Sequence, residues 1–219
     1  MSALSDYKNI WVYAEYEGDK LKPITLELLS KVRPIALELK EELCVILIAP
    51  KPELFYAELA KYGAQKIYIV KGEYFNEYNT LPYSKAVINL ITKYKPSAVL
   101  FPSSFLGRDL APRVASVLHL GLTADCTDLS IKDNVLLQTR PALGGNILAD
   151  ISSPNIRPQM ATVRQGVFES KPLPDFLPAQ IIQEEITLSQ EDLSVKVISN
   201  VTNEKYLEIY EIDVDKLKN

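Results

Sequence analysis

A strand-then-helix alternation, repeated four times between Lys8 and Gly121, constrains the fold of this chain more than any other feature. Short apolar runs rich in β-branched and aromatic residues are typical of strands buried on both faces of a sheet. A segment with apolar residues at helical spacing follows each run. Strands joined by such crossovers pair in parallel, so the pattern predicts an α/β fold with three layers, α/β/α, around a mostly parallel sheet. The predicted strands are residues 10–14, 44–49, 66–70 and 98–101. The predicted helices are one from Pro23 that Pro34 kinks or divides, then 52–62, 83–94 and 109–119.

The pattern changes after Gly121 to extended segments separated by turn residues. These segments are residues 128–131, 135–140, 146–151 and 159–163, with a Lys-Asp-Asn turn and a Gly144–Gly145 break between them. Alternation of this kind predicts added antiparallel or edge strands rather than further helix-connected parallel ones.

A Pro-spaced stretch at residues 171–179 marks the predicted domain boundary. Residues 171–219 contain ten acidic and five basic side chains and no glycine. The chain therefore divides into a domain at 1–170 and an acidic connecting segment at 171–219, within which 193–210 alternates as one or two strands do. A chain of 219 residues fits one sizeable domain and a remainder.

Composition excludes several classes of function. The net charge is −4, whereas proteins that bind nucleic acids or anionic membranes usually carry an excess of basic residues. No apolar run reaches the roughly 18 residues of a membrane span, so no membrane insertion is expected. Two cysteines without neighbouring Cys or His predict no metal site and no disulfide scaffold. A reducing, cytoplasmic location is expected, with no catalytic residue of the chain's own.

Candidate ligand-binding residues follow the strand at 98–101. Ser103, Ser104, Gly107 and Arg108 supply two hydroxyls, a glycine and a cation immediately before a helix. Ligands of open parallel sheets bind at this edge, where helix N-termini favour anions, so a phosphate or flavin-edge site is reasonable. The alternative is that the serines and Asp109 cap the helix and Arg108 pairs with a carboxylate. No Walker or G-x-G-x-x-G loop is present.

A second candidate is the segment that begins at Arg140. Its glycines, Gly144 and Gly145, allow another backbone or a planar ligand to come close, and an arginine beside a flavin ring stabilises the negative charge that develops on reduction. The alternative is a structural bend with a surface ion pair. Cys126, between two aspartates, has no paired base in sequence reach and is rejected as a nucleophile.

Several ordered segments resemble the alpha subunit of electron transfer flavoproteins. They span most of the region before residue 170, so the match is far more specific than a single glycine pattern. The segments are IWVYAE at 10–15, GRDLAPR at 107–113, HLGLTADCTDL at 119–129, TRPALGGN at 139–146 and ATVRQGVF at 161–168.

The resemblance implies a parallel-sheet domain of the adenine-nucleotide-binding, universal-stress-like type. It also implies pairing with a beta subunit and electron exchange with a dehydrogenase or a quinone oxidoreductase. In the family a following domain of the alpha chain holds the electron-carrying FAD, and we expect that domain to be missing from these 219 residues. FAD would then be held mainly by the partner or the missing domain, with AMP as another possible cofactor of the beta subunit.

In family members that hold a second flavin, the resemblance places its ring against the loop containing Ser103 and Ser104, against Arg140 and against Leu143. Leu143 is a departure, because flavin-bifurcating members often have Phe there and leucine lacks a stacking ring. The expected function is that of an electron transfer flavoprotein alpha-subunit domain. The alternative is a stand-alone adenine-nucleotide-binding or stress-type regulatory protein.

Overall fold

The computed structural model describes residues 4–195. The strands are β1 (Ile10–Tyr13), β2 (Tyr16–Glu17), β3 (Lys20–Leu21), β4 (Leu43–Ile48), β5 (Lys66–Val70), β6 (Ala98–Pro102), β7 (Leu122–Cys126), β8 (Asp128–Lys132), β9 (Val135–Ala142), β10 (Ile147–Ile151), β11 (Gln159–Val163) and β12 (Gln180–Glu184). The α-helices are α1 (Pro23–Leu39), α2 (Tyr56–Lys61), α3 (Thr80–Tyr94) and α4 (Phe105–Val117), with short 3-10 turns at Leu4–Asp6, Pro52–Leu54, Glu73–Phe75 and Leu143–Gly145.

The central sheet within residues 4–195 has seven strands in the order β12-β5-β4-β1-β6-β11-β7, and every neighbouring pair is parallel. From β1 the chain builds the sheet in one direction through β4 and β5, then returns to the other side of β1 with β6. This reversal makes a switch point between β1 and β6, where the connections leave in opposite directions and a crevice forms at the carboxyl edge.

Helices and a second sheet cover the two faces of the central sheet. Apolar side chains of α1 and α2 pack on one face, together with Leu129 of β8 and Leu136 of β9. Apolar side chains of α3 and α4 pack on the other. The strands between them are almost completely buried, as apolar runs of this kind require. The predicted α/β fold with three layers and a mostly parallel sheet is confirmed.

The extended segments after Gly121 divide into two groups. The antiparallel pairing predicted for residues 128–151 is confirmed, because β8, β9 and β10 form a three-stranded antiparallel sheet. The edge position expected for residues 159–163 is wrong: β11 lies inside the central sheet, parallel to β6 and β7, with all five residues buried. Its polar Gln159 is accommodated in the interior because its side chain accepts a hydrogen bond from the backbone N–H of Leu136 and donates one to the C=O of Leu136.

The acidic segment after residue 170 contacts the domain before it. The backbone N–H of Lys171 donates to Ser30 and that of Leu173 to the Lys61 carbonyl. Beyond them β12 pairs in parallel with β5 and forms one edge of the sheet. The division at residue 170 stays a prediction, and residues 196–210 of the predicted alternating stretch lie outside the described residues.

All four helices differ from prediction in detail. The helix predicted at 52–62 is a 3-10 turn at Pro52–Leu54 followed by the short α2, and α3 begins at Thr80, three residues earlier than predicted. Helix α1 runs through Pro34 without being divided. Helix α4 begins at Phe105, four residues earlier than predicted, because Ser104 caps it. None of the helices within residues 4–195 combines the length and apolar character that a membrane crossing requires.

Candidate functional site

The carboxyl edge of the central sheet contains two adjacent regions of opposite character. We call the first the sealed crevice; it lies at the switch point and consists of Glu15, Lys22, Ser104 and Gly107. We call the second the arginine cleft; it lies beside the ends of β7, β9 and β11 and consists of Ser103, Arg108, Asp125, Arg140, Leu143 and Arg164.

The sealed crevice is held by a buried carboxylate. The Ser104 hydroxyl accepts a hydrogen bond from the Gly107 backbone N–H at 3.0 Å and donates one to Glu15 Oε1 at 2.6 Å. Glu15 is only 2% exposed, and Lys22 Nζ lies 3.3 Å from its other oxygen. A buried carboxylate is stable only when paired and hydrogen-bonded, and here both oxygens have a partner.

Gly107 is required by packing. A Cβ added to it would lie 1.8 Å from the Pro102 carbonyl oxygen at the end of β6. No side chain tolerates that distance, so the glycine lets the first turn of α4 lie directly on the end of the strand. The sealed crevice is therefore filled by the protein itself.

The arginine cleft is organised by Asp125, which occupies a β-bulge. Ala161 pairs with Thr123 and Val163 with Cys126, so β7 has one residue more than β11 over this stretch. Asp125 has a φ of +61°, and its backbone N–H donates to Thr162 Oγ1 at 2.8 Å. Bulges re-aim side chains, and aspartate tolerates the left-handed region better than most residues. The bulge turns the carboxylate towards the cleft.

Two arginines and a serine converge on that carboxylate. Arg164 donates to the Asp125 carboxylate through Nη2 at 2.5 Å and through Nε at 3.3 Å. Nη2 of Arg108 lies 3.7 Å from Asp125 Oδ1. Ser103 donates to the same carboxylate at 3.2 Å and accepts from Arg108 Nε at 3.1 Å. Hydrogen bonding from Arg164 holds the pKa of Asp125 below its ordinary value. The aspartate stays ionised and keeps both guanidinium groups in place.

Arg140 adds a third positive charge. Its Nε donates to the neighbouring Pro141 carbonyl at 3.3 Å, and no carboxylate within residues 4–195 lies in ion-pair range of it. Arg140 borders an open depression of about 550 Å³ together with Asp125 and Arg164. Three guanidinium groups against one carboxylate leave this region at +2 in a chain whose net charge is −4. Such a local excess attracts an anionic group.

The loop from Leu143 to Gly145 forms the outer rim of the cleft. All three residues have positive φ, at 49°, 71° and 91°, and nothing lies within 4 Å of a Cβ placed on either glycine. Leu143 is 76% exposed, and the following Ile147 and Leu148 of β10 are also exposed. Because these two neighbours point to opposite faces of the strand, the hairpin presents apolar side chains on both sides.

The two cysteines take no part in the site. Both are free and buried, and burial raises the pKa of each thiol to about 12. A thiol with such a pKa is not a nucleophile at neutral pH, in agreement with the rejection of Cys126. Within residues 4–195, no group of three or more His, Cys, Asp or Glu side chains could hold a metal ion.

The structure brings four of the six candidate residues to one place and separates the other two. Ser103, Arg108, Arg140 and Leu143 lie at the arginine cleft, whereas Ser104 and Gly107 belong to the sealed crevice. The structural alternative for the 103–109 loop holds for two residues, because Ser104 is the helix cap and Arg108 faces a carboxylate. Asp109 is not a cap; it lies inside α4 and accepts hydrogen bonds from Tyr78 and Thr80. Asp125 and Arg164 were missed as site residues. A correct placement of β11 would have indicated Arg164, because this residue directly follows that strand and so lies beside the end of β6.

The described residues fit one side of a flavin better than a complete flavin site. The cleft offers guanidinium groups for an anionic ring and an exposed apolar rim. It is open, however, and the switch-point crevice that would take phosphates in this type of sheet is occupied by Glu15. A planar cofactor could lie on this surface if a second protein covered its other side.

A family model described as the electron transfer flavoprotein domain matches residues 10–189 of the chain. Among curated proteins, an electron transfer flavoprotein subunit alpha from Thermoanaerobacterium thermosaccharolyticum is 39% identical, over 90% of this chain and 60% of its own length. A FixB protein from Clostridium saccharobutylicum is 38% identical, over 98% of this chain and 63% of its own length.

The name of a third relative states the enzyme to which it belongs. It is the electron transfer subunit beta of an acryloyl-CoA reductase from Anaerotignum propionicum, 34% identical over 92% of this chain and 62% of its own length. The chain thus spans about 60% of the length of these relatives.

Proposed function

The chain belongs to the electron transfer flavoprotein domain family, and on that premise we propose that it is an alpha-type domain that pairs with a beta-type subunit to carry electrons. The arginine cleft is the observation that carries this proposal. It combines a local positive charge with exposed apolar side chains at the edge where ligands of parallel sheets bind. This combination suits a surface that completes a flavin site between two proteins.

We propose FAD as the cofactor, held mainly by the partner or by a further domain and contacted here by Arg140, Leu143 and the Ser103–Arg108 side of the cleft. When bound, a flavin accepts and releases electrons, and its reduced ring carries negative charge. Arg140 supplies positive charge towards that ring, and Asp125 holds the guanidinium groups of Arg108 and Arg164 beside it. AMP as a cofactor of the beta-type subunit remains part of this proposal.

The projecting hairpin supports the choice of a protein partner. Leu143, Ile147 and Leu148 are more than half exposed, and Phe105 at the start of α4 is 99% exposed. Apolar side chains of this size, grouped at one edge, mark protein interaction sites more often than solvent-facing surface. The electron partner in this proposal is a dehydrogenase or a quinone oxidoreductase.

The free, buried thiols of Cys44 and Cys126 support a reducing compartment, and we propose the cytoplasm. The stand-alone nucleotide-binding alternative finds less support in the geometry. Its phosphate groups would approach the switch point, where the buried Glu15 carboxylate repels anions and Gly107 leaves no free space.

Co-expression with the beta-type subunit from the same organism tests the proposal. We expect a stable one-to-one complex that contains flavin, and no tight binding of ATP or AMP when the chain alone is titrated in a calorimeter. A chain that stays monomeric beside the beta-type subunit and binds ATP or AMP by itself would contradict the proposal and favour the alternative.

A further inference from the structure

A separate aromatic cluster crosses the core on the α3 side of the sheet. Trp11 of β1 stacks on Tyr68 of β5, with ring centroids 4.3 Å apart, and Tyr68 lies 4.5 Å from Tyr94 at the end of α3. Trp11 and Tyr68 are buried, at 1% and 4% exposure, whereas Tyr94 is partly exposed. The Trp11 and Tyr94 centroids are also 6.0 Å apart, so the three rings form one contiguous cluster that reaches from the centre of the sheet to the surface.

The ring of this cluster nearest the surface, Tyr94, has a proton acceptor beside it. The Tyr94 hydroxyl donates to Glu184 Oε1 at 2.5 Å, and Lys93 Nζ lies 2.8 and 2.7 Å from the two oxygens of the same carboxylate. Hydrogen bonding from Lys93 and Tyr94 keeps the pKa of Glu184 below its ordinary value, so the carboxylate is ionised at neutral pH. The pKa of Tyr94 is raised, chiefly by burial, so the phenol keeps its proton until it is oxidised.

We propose that Trp11, Tyr68 and Tyr94 form a hole-transfer path that carries oxidising equivalents out of the core to the surface. Indole and phenol are the most easily oxidised rings in proteins, and rings in contact exchange electrons over the short distances found here. A phenol is oxidised most readily when a base can take its proton in the same event. Tyr94 with Glu184 meets that condition, and its ring is the outermost of the three.

The electron and proton balance is simple. A one-electron oxidant, such as a radical derived from oxygen, takes one electron from Trp11 and leaves an indole radical cation. One electron then moves from Tyr94 to Trp11, through Tyr68 or across the direct 6.0 Å contact, and Trp11 is restored. The Tyr94 O–H bond breaks, its proton passes to Glu184, and a neutral tyrosyl radical remains. A thiol reductant in solution transfers one hydrogen atom to the Tyr94 oxygen; its S–H bond breaks, a thiyl radical leaves, and Glu184 releases its proton to solvent.

The chain provides a matched control in Tyr78. Its hydroxyl also donates to a carboxylate, that of Asp109, at 2.5 Å. Its ring contacts Tyr83, which in turn contacts Phe75, and no ring contact within residues 4–195 joins this group to Trp11. Tyr78 therefore shares the local chemistry of Tyr94 but lies off the proposed path.

Laser photoionisation of tryptophan tests the path, because Trp11 is the single tryptophan of the chain and the radical is formed at one known position. The excitation is set where tyrosine does not absorb, and a dissolved electron scavenger takes the ejected electron. We expect the tryptophan radical to decay as a tyrosyl radical appears at the same rate. Y94F should lose the long-lived tyrosyl signal. Y68F leaves only the 6.0 Å contact between Trp11 and Tyr94, so it should lengthen the lifetime of the tryptophan radical without abolishing the tyrosyl signal.

Two further variants keep the test decisive. E184Q removes the base at the surface without changing a ring, so it should slow tyrosyl formation even if Y68F folds poorly; thermal melts identify folded variants. Y78F should leave both signals unchanged. Decay of the Trp11 radical with no tyrosyl signal would overturn the proposal, as would an equal loss in Y78F and Y94F. The measurement uses the chain alone and does not depend on any partner or flavin.

Discussion

The sealed crevice and the arginine cleft lie side by side on one edge of one sheet, yet they use charge in opposite ways. In the crevice, the Glu15 carboxylate is buried and both of its oxygens have partners, so the charge serves to fix a helix on a strand. In the cleft, three arginines surround a single Asp125, and the excess charge faces solvent. The difference separates a region built for stability from one that remains available to a partner.

The largest loss of stability is expected from one methyl group added in the sealed crevice. Gly107→Ala places a Cβ where only 1.8 Å separates it from the Pro102 oxygen, so α4 must move away from β6. We expect a loss of about 3 kcal/mol in the free energy of unfolding, measured by urea denaturation. Gly121→Ala is the control, because nothing lies within 4 Å of its added Cβ. Equal stability of the two variants would show that the contact at Gly107 relaxes freely.

Ser104→Ala should have the next largest effect. It removes the cap of α4 and also the hydroxyl that donates to the buried Glu15. Loss of a cap and of a donor to a buried carboxylate together cost about 2 kcal/mol. The neighbouring Ser103→Ala, in the open cleft, should cost about 0.5 kcal/mol by the same denaturation measurement. A larger cost for Ser103 than for Ser104 would reverse the assignment of the two regions.

Asp125→Asn should change the acid dependence of stability more than stability itself. The pKa of Asp125 is lowered in the folded protein, so its stabilising contribution is present above the unfolded pKa of about 3.9 and is lost as pH falls through the folded value. Asparagine tolerates the positive φ at this bulge, so the backbone is preserved.

At neutral pH we expect Asp125→Asn to cost about 1 kcal/mol or less, since the ion pairs are partly exposed. The difference in melting temperature between the original chain and the variant should shrink as the pH is lowered towards 3, because a protonated aspartate is also neutral. A difference that grows with acidification would contradict the lowered pKa.

Arg140→Ala should have the smallest effect on the isolated chain, within about 0.5 kcal/mol, because no carboxylate within residues 4–195 pairs with it. In the complex with the beta-type subunit it should alter the flavin potential or occupancy, measured by spectroscopic redox titration. Arg140→Lys keeps the charge and should alter them less. An unchanged titration for Arg140→Ala would remove this residue from the site.

The architecture of the sheet was largely predictable, and the exceptions have physical causes. Strands β1, β4, β5 and β6 are continuous apolar runs, which buried parallel strands require, and their positions were predicted within one residue. Strand β11 was misplaced because it is one of a run of extended segments separated by turn residues, with no predicted helix before it to indicate parallel pairing. It also contains the polar residues Gln159 and Thr162. They are buried and satisfied by long-range hydrogen bonds, which no local pattern reveals.

The candidate site was predictable only in part for the same reason. Ser103, Arg108 and Arg140 follow strand ends and were identified from that position. Arg164 also follows a strand end, but its meeting with Asp125 depends on β11 lying between β6 and β7. The bulge that aims Asp125 arises from one extra residue of β7 in its register with β11, and these two strands are far apart in the sequence.

Amide hydrogen exchange, with and without the beta-type subunit, tests the central claim most directly. We predict that binding slows exchange around Arg140, Leu143 and Leu148 and at Arg164, while amides at the sealed crevice, such as Gly107, keep the protection they have in the free chain. Unchanged exchange throughout the arginine cleft, with new protection elsewhere on the domain, would contradict the claim that this cleft is the surface a partner completes.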